Sequence, residues 1–366
     1  MKKIYFGLFL GLMVLGGISI FATGQKEFSS NENRYLKTVS DIKSTSDIEG
    51  TLADQFPLRD GWLTVASGAR YLTGAREIND TYIGKDGYLF DKCSENDFSM
   101  MQYKNNLSYL GKFAGSYEVD DISLVLVPSP YTILSEKLPD NAQAYDAAQK
   151  YKAAETAMSG SANVVDLRDT LECLSRETQV YYRTDHHWTT RAAYAAYLSA
   201  VCGYDYEKAV DEAVNFEGLT AVSEEFHGTL YSRVLLRDKV YDTIDALDLE
   251  KAGLSEISEQ LYDASKLETK DKYAYFLGGN TGRMDIKGTG EGNLLLIKDS
   301  FANCMVPFLA QKYANITIVD LRYLSEEIAH LMENGVDGES YNDVIVLYEM
   351  SNFADDVNIY KLARGL

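Results

Sequence analysis

The chain has 366 residues, enough for one large domain or two ordinary ones with a buried core. Its 46% hydrophobic and 25% charged content is that of a folded globular protein, which excludes a disordered chain. The 35 Lys and Arg against 55 Asp and Glu give a formal charge of −20, which weighs against nucleic acid as a partner, and against a polyanionic ligand unless the site is locally basic.

Lys2 and Lys3 precede an apolar, uncharged run of 19 residues, Ile4 to Ala22, after which the sequence turns polar. This is the pattern of a signal peptide or an uncleaved signal anchor, just long enough to span a bilayer. Phe21-Ala22-Thr23-Gly24 lacks a clean A-x-A site, which favours the anchor. Residues 1–24 are therefore assigned to export, with the N-terminus contacting a membrane and the rest of the chain extracytoplasmic. Residues 25–90 are expected as an N-terminal extension packing on the main domain. Within it, Ile48–Phe56 reads as a short helix before Pro57, and Gly61–Leu72 as a helix. Tyr82–Phe90 reads as a hairpin about Gly84-Lys85-Asp86-Gly87.

Residues 91–366 read as one β/α domain. Ile122–Val127 is a near-continuous apolar run, as in a parallel strand covered on both faces. Ala142–Met158 is helical, Val164–Leu167 a strand and Arg168–Leu174 a helix. Thr189 or Thr190 caps a helix through Val201. Phe226–Tyr231 and Tyr273–Leu277 look like strands or strand edges. Residues 239–267 are acidic with little apolar patterning and read as an insertion or surface excursion. Asn293–Ile297, Ile316–Val319 and Val344–Leu347 are strands, with helices at Ala302–Tyr313 and Ser325–Asn334. The alternation predicts an open, mostly parallel sheet with helical crossovers.

Of the four histidines, His186 and His187 stand together in Thr184-Asp185-His186-His187-Trp188-Thr189. Histidine titrates nearest neutrality and is the first candidate for proton transfer. Lys298-Asp299-Ser300-Phe301-Ala302-Asn303 follows a strand and opens a helix, at the edge where open α/β sheets bind ligands. Serine needs a base to act as a nucleophile. His187 can supply it, with Asp185 holding the tautomer. In an extended segment Asp185 and His187, two apart, fall on one side, and His186 points the other way. Ser300 could instead be an ordinary helix N-cap. Asp185, His186 and His187 also have the donors of a metal site, but no HExxH or Cys/His cluster accompanies them. Trp188 reads as a packing residue that fixes the loop. His227 and His330 read as structural, and the 27 tyrosines chiefly as packing. Cys93, Cys173, Cys202 and Cys304 contain no CxxC, so a disulfide and buried free thiols are both open.

The Thr-Asp-His-His-Trp-Thr block, followed downstream by a strand ending in Asp-Ser-Phe, resembles the DHHW family. It is similar to the SGNH-hydrolase-like domain of the alginate O-acetyltransferases. Asn31-Glu32-Asn33-Arg34, Phe56-Pro57-Leu58-Arg59-Asp60 and Tyr82–Phe90 resemble the family's N-terminal half, and Asp320-Leu321-Arg322-Tyr323 its C-terminal half. The resemblance implies a three-layer α/β/α SGNH-like fold in a circularly permuted order, with the histidine block ahead of the serine. It places Asp185, His187 and Trp188 on the family's Asp-x-His-Trp, and Ser300 on its serine. Lys298 departs from the glycine usual before Asp-Ser. Arg322 resembles an arginine near the family's active site, and Asn303 is an oxyanion candidate. The implied activity is O-acetyl transfer to a secreted or cell-surface polysaccharide through a serine acyl-enzyme. Such proteins often work beside a membrane-bound O-acyltransferase, and neither a metal nor an organic cofactor is implied. The rivals are a polysaccharide O-acetyl esterase and a non-catalytic polysaccharide-binding or assembly protein.

Overall fold

A computed structural model describes residues 5–7, 11, 24–29, 34–236 and 240–365. Most of the Ile4–Ala22 run and Asn31 to Asn33 lie outside the described residues. Among the described residues, no helix is long and apolar enough to cross a membrane.

The chain divides into two compact units, one of residues 1–81 with 229–239, the other of 82–228 with 240–366. In the first, α1 (Thr45–Asp54) begins at Ser44, whose hydroxyl and Asp47 form a capping box. It starts three residues before the predicted Ile48, because Ser44 and Asp47 satisfy the first free N–H groups. It ends before Phe56-Pro57, and α2 follows as Arg59–Leu72.

The second unit is built on a six-stranded sheet. The main strands of this unit are β1 (Asp121–Val127), β2 (Asn163–Asp166), β3 (Leu219–Phe226), β4 (Asp242–Leu247), β5 (Arg283–Lys287), β6 (Asn293–Lys298), β7 (Asn315–Val319) and β8 (Asp343–Glu349). The six-stranded sheet runs β5-β7-β6-β8-β1-β2, while β3 and β4 form a separate pair. All neighbours in the large sheet are parallel except β5, which is antiparallel to β7. Every residue of β6 is buried, and so are all but the first of β1 and β8. Only a sheet covered on both faces buries consecutive residues this way, which is why these strands lack a polar alternation. The register places Lys298 beside Leu347 and Glu349 beside Val127, so the ends of β6, β8 and β1 share one edge.

The predicted 82–90 hairpin is present as strands Thr81–Ile83 and Leu89–Asp91. Its turn residues Asp86 and Gly87 have φ of 55° and 80°, the left-handed pair that a type I′ turn requires. Thr189 caps α-helix Thr190–Ala200, accepting the Ala192 N–H.

Several expectations are corrected. Phe226–Tyr231 is not one strand: β3 ends at Phe226, and a helix starts at Thr229. Tyr273–Leu277 is chiefly a 3₁₀ turn, Lys272–Tyr275, with only Phe276 bridged to Tyr262. The helix expected over 302–313 is split into a tight turn, Ser300–Cys304, and a helix Val306–Lys312 that begins at Pro307's fixed φ. The Ser325 helix starts at Ile328. Strand β5 was hidden by its charges: four of its five residues are partly or fully exposed. The 239–267 stretch is not a surface excursion, since Ile244, Ala246, Leu247, Leu249, Leu254 and Leu261 pack in the main core. Alternation along β4 puts Asp242, Ile244 and Ala246 inward while the intervening Thr243 and Asp245 face outward, so the acidic average conceals a buried face.

Leu296, at the middle of β6, is fully buried. Leu296→Ala should cost about 3 kcal/mol, through lost burial and a residual cavity, in a denaturant titration of the full chain. A loss below about 1 kcal/mol would mean that the strand is not so enclosed.

Candidate active site

The histidine block is the tip of a tight loop. Tyr181 and Trp188 form an antiparallel bridge, and the Tyr182 N–H donates to the His187 carbonyl at 3.1 Å. Between these arms the chain bends from Arg183 to His187. Asp185 Oδ1 accepts the His187 N–H at 3.0 Å, an Asx turn. Asp185 and His187 therefore meet through a turn, not as same-side neighbours of an extended segment. His186 does not point away as the extended reading required. Its ring lies beside that of His187, with centroids 4.0 Å apart. Trp188 is fully buried, and its Nε1–H donates to the Phe301 carbonyl at 2.8 Å, which fastens the loop to the turn carrying Ser300.

That turn sits at the end of β6. Its N-cap is Asp299, whose Oδ1 accepts the Phe301 N–H at 2.9 Å. Oδ2 of Asp299 accepts the Glu349 N–H at 3.0 Å and Asn352 Nδ2 at 2.8 Å. Because Asp299 does the capping, the hydroxyl of Ser300 is released from that task. The Ser300 N–H stands at the first residue of the turn, where helix starts leave donors without intrahelical partners.

The two segments meet at His187. Its Nδ1 lies 2.5 Å from Asp185 Oδ1, and its Nε2 lies 2.8 Å from Ser300 Oγ. With Nδ1–H donating to the carboxylate, Nε2 is left to accept from the serine hydroxyl. Tyr273 stacks on the imidazole at 3.7 Å and 12°, and its hydroxyl donates to the Ser300 carbonyl at 3.3 Å. Phe301 closes another side, 5.0 Å away. Burial pushes the His187 pKa down to about 4, with His186 acting in the same direction and Asp185 against it. The ligating atoms of Asp185, His186 and His187 lie within 4.8 Å of one another, as a metal site would need. Both ring nitrogens of His187 are nevertheless engaged, one by Asp185 and one by Ser300.

Lys298, the residue that departs from the family resemblance, is buried beneath the turn. Its Nζ donates to Asn303 Oδ1 at 2.7 Å and to Asn280 Oδ1 at 2.8 Å. Burial lowers its pKa to about 8, opposed by Asp320 and Asp299. Asn303 is thus held in a buried amide cluster, its Nδ2 donating to Asn280 at 3.3 Å. Arg322 makes a two-point pair with buried Asp320, at 2.9 and 2.6 Å, and is half-exposed. That hydrogen-bonded carboxylate raises the pKa of Arg322 above its ordinary value. Elsewhere, the His227 ring bonds the Val240 carbonyl at 2.8 Å, and His330 bonds Asn334 at 3.0 Å. All four cysteines are free thiols.

Sequence reading missed Tyr273, Asn352, Gly228 and Asp242. Tyr273 carries no motif and is one tyrosine among many. Gly228, after Glu224-Glu225-Phe226-His227, had no motif either. A Cβ on it would lie 2.2 Å from Asp185 Cβ and 2.3 Å from its Oδ2, so only glycine admits the Asp185 side chain here.

Residues 81–260 match the family described as the SGNH hydrolase-like domain of acetyltransferase AlgX. The mainly parallel α/β sheet has the SGNH-like fold, and the resemblance to the DHHW family holds in three dimensions. A DHHW family protein from Eubacterium siraeum superposes with a TM-score of 0.56 at 20% identity, covering 79% of this chain and 97% of that one. Bacillus cereus PatB1, solved with a sulfonyl adduct, gives 0.56 at 18% identity, covering 78% of this chain and all of that one (100%). Among curated proteins, the probable alginate O-acetylase AlgJ of Pseudomonas syringae pv. tomato is 26% identical over 206 residues, 54% of this chain. The chain spans about half (50%) of that relative's length.

Two outcomes are expected. Gly228→Ala should displace Asp185 and lower kcat/KM on an acetyl ester by roughly 10²-fold in a protein that remains folded by circular dichroism. A wild-type rate would show that Asp185 has room to spare. Since His187 must be neutral to take a proton, the acid limb of kcat/KM against pH should have its midpoint near 4, well below the ordinary 6.5. The unfolded chain binds the extra proton between those two values, so stability should also fall as pH drops through that window. A midpoint at or above 6.5 would mean that burial does not dominate the histidine.

Proposed function

We propose that the chain is an exported, membrane-anchored O-acetyltransferase acting on a secreted or cell-surface polysaccharide through a serine acyl-enzyme. The observation that carries this is the hydrogen-bonded sequence Asp185–His187–Ser300, with 2.5 and 2.8 Å links at the carboxyl edge of a parallel sheet. The match to an acetyltransferase family over residues 81–260 and the partial relationship to an alginate O-acetylase support the acetyl group and the glycan acceptor. The Lys2-Lys3 start and the apolar run after it support export and anchoring. In this reading residues 25–90 are an extension of the 91–366 domain.

In the first half-reaction Ser300 Oγ attacks the carbonyl carbon of an acetyl donor as its proton passes to His187 Nε2. Asp185 holds the ring and favours the imidazolium. The tetrahedral oxyanion is met by the Ser300 N–H, with Asn303 as the second candidate donor. Collapse breaks the bond to the leaving group, which takes the proton from His187. In the second half-reaction a sugar hydroxyl gives its proton to His187 and attacks the acetyl carbon. Collapse then expels Ser300 Oγ, which recovers the proton. Arg322, half-exposed, is a candidate contact for donor or acceptor, and Trp188 acts by holding the loop. No metal or organic cofactor enters these steps. A membrane-bound O-acyltransferase is the partner class that would deliver acetyl groups across the membrane. The net charge disfavours a strongly anionic glycan away from a locally basic site, so a neutral glycan is the acceptor to test first.

Purified protein given a chromogenic acetyl ester, with and without neutral oligosaccharides, should yield acetylated oligosaccharide, and Ser300→Ala should lose activity by roughly 10⁴-fold or more. Rapid ester hydrolysis with no transfer product would favour the esterase. Unchanged cellular polysaccharide acetylation in Ser300→Ala would favour a non-catalytic binding protein.

A further inference from the structure

Asp242 takes no part in the steps above. It opens β4, in the acidic stretch read from sequence as surface, yet it is only 2% exposed. Its carboxylate accepts hydrogen bonds from the arm that leads into Asp185. Oδ1 accepts Gln179 Nε2 at 2.9 Å and the Arg183 N–H at 2.9 Å. Oδ2 accepts the Thr184 N–H at 2.8 Å and the Thr184 hydroxyl at 2.6 Å. Two carboxylate oxygens offer about four acceptor sites, so these four donors fill them. A buried carboxylate is costly without such partners, and buried backbone N–H groups at a bend are equally costly without an acceptor. Each side therefore satisfies the other.

The contacts continue to the catalytic carboxylate. The Thr184 hydroxyl oxygen, while donating to Asp242, accepts the Gly228 N–H at 3.1 Å. Gly228 is the residue whose missing side chain gives Asp185 its space. Asp242 thus fixes both the residue before Asp185 and, through Thr184, the wall against which Asp185 rests. The Asx turn from Asp185 to His187 begins from that anchored point.

We infer that Asp242 is a positioning residue for the catalytic histidine. It holds the Arg183–Thr184 bend so that Asp185 can aim His187 Nε2 at Ser300. What the aimed histidine does rests on the acyl-transfer reading, but the aiming itself does not. A brace that served only the fold would change stability and leave the His187–Asp185 hydrogen bond intact.

The test uses the full chain and the variants Asp242→Asn, Thr184→Val and Thr184→Ser. Asparagine keeps the shape of Asp242 but turns an NH₂ group toward N–H donors. Foldedness is checked by thermal melting. Positioning is read from the downfield proton resonance of His187 Nδ1–H in its bond to Asp185. Nucleophile activation is read from the rate at which an aryl sulfonyl fluoride labels Ser300, and from the split of kcat and KM on an acetyl ester. Folded Asp242→Asn should lose or shift the resonance, label roughly 10²-fold more slowly and lose kcat rather than KM. Thr184→Val should show a smaller loss of the same kind, and Thr184→Ser should recover most of it. A folded Asp242→Asn with the wild-type resonance and labelling rate overturns the inference. If Asp242→Asn does not fold, an unchanged resonance and labelling rate in Thr184→Val overturns it equally. If wild-type Ser300 is never labelled, the acyl-transfer reading fails, and the resonance still decides whether Asp242 positions His187.

Discussion

The hydrogen bond between His187 Nε2 and Ser300 Oγ joins residues 113 positions apart, and the rest of the site exists to make that contact possible. Ser300 is placed by β6, a strand with no exposed residue at the centre of the sheet, so its position is inherited from a wholly buried strand. His187 is placed by a loop and needs separate anchoring. The anchor on the serine side is Trp188, buried and bonded to the carbonyl of Phe301, the residue after Ser300. A buried indole with a satisfied N–H contributes burial of order 2 kcal/mol and a hydrogen bond of about 1 kcal/mol. It fixes the loop against the very turn that it must address.

The ground beneath Ser300 is polar, buried and satisfied. Asp299 collects donors from Phe301, Glu349 and Asn352, and burial raises its pKa. Glu349, at the end of β8, is bonded by Ser129, Ser351 and the Asn352 N–H, and burial carries its pKa up to about 7. Lys298 is held between two amide oxygens. Three ionisable groups in so small a volume are tolerable only because each has its hydrogen bonds, and such networks rigidify what they surround. The Lys298 side chain runs into the buried amide pair of Asn280 and Asn303.

Burial takes the His187 imidazole down to a pKa of about 4, Asp185 opposes that shift, and Tyr273 lies flat against the ring and limits its rotation. The hydroxyl of Tyr273 also reaches the Ser300 carbonyl, so one aromatic residue contacts both His187 and Ser300.

The large sheet was legible because β1, β6, β7 and β8 are apolar runs that only a doubly covered strand permits. Strand β5 was not, since an edge strand with exposed charges leaves no such run. Asp185, His187 and Ser300 were legible because their residue types are rare or sit at a strand end in a specific order. Their local geometry was not: the Asx turn lies beside Thr184 of the block itself, whose partners Asp242 and Gly228 come from an acidic stretch and a glycine without a motif. Pattern reading averages charge over a window, whereas β4 buries Ile244 and Ala246 among its acidic residues. The central claim is the covalent one, and it is tested most directly by trapping the acetylated protein from an acetyl ester in acid and mapping the adduct by peptide mass spectrometry. The account predicts a single acetyl group on Ser300. An adduct on any other residue, or none while product forms, would contradict it.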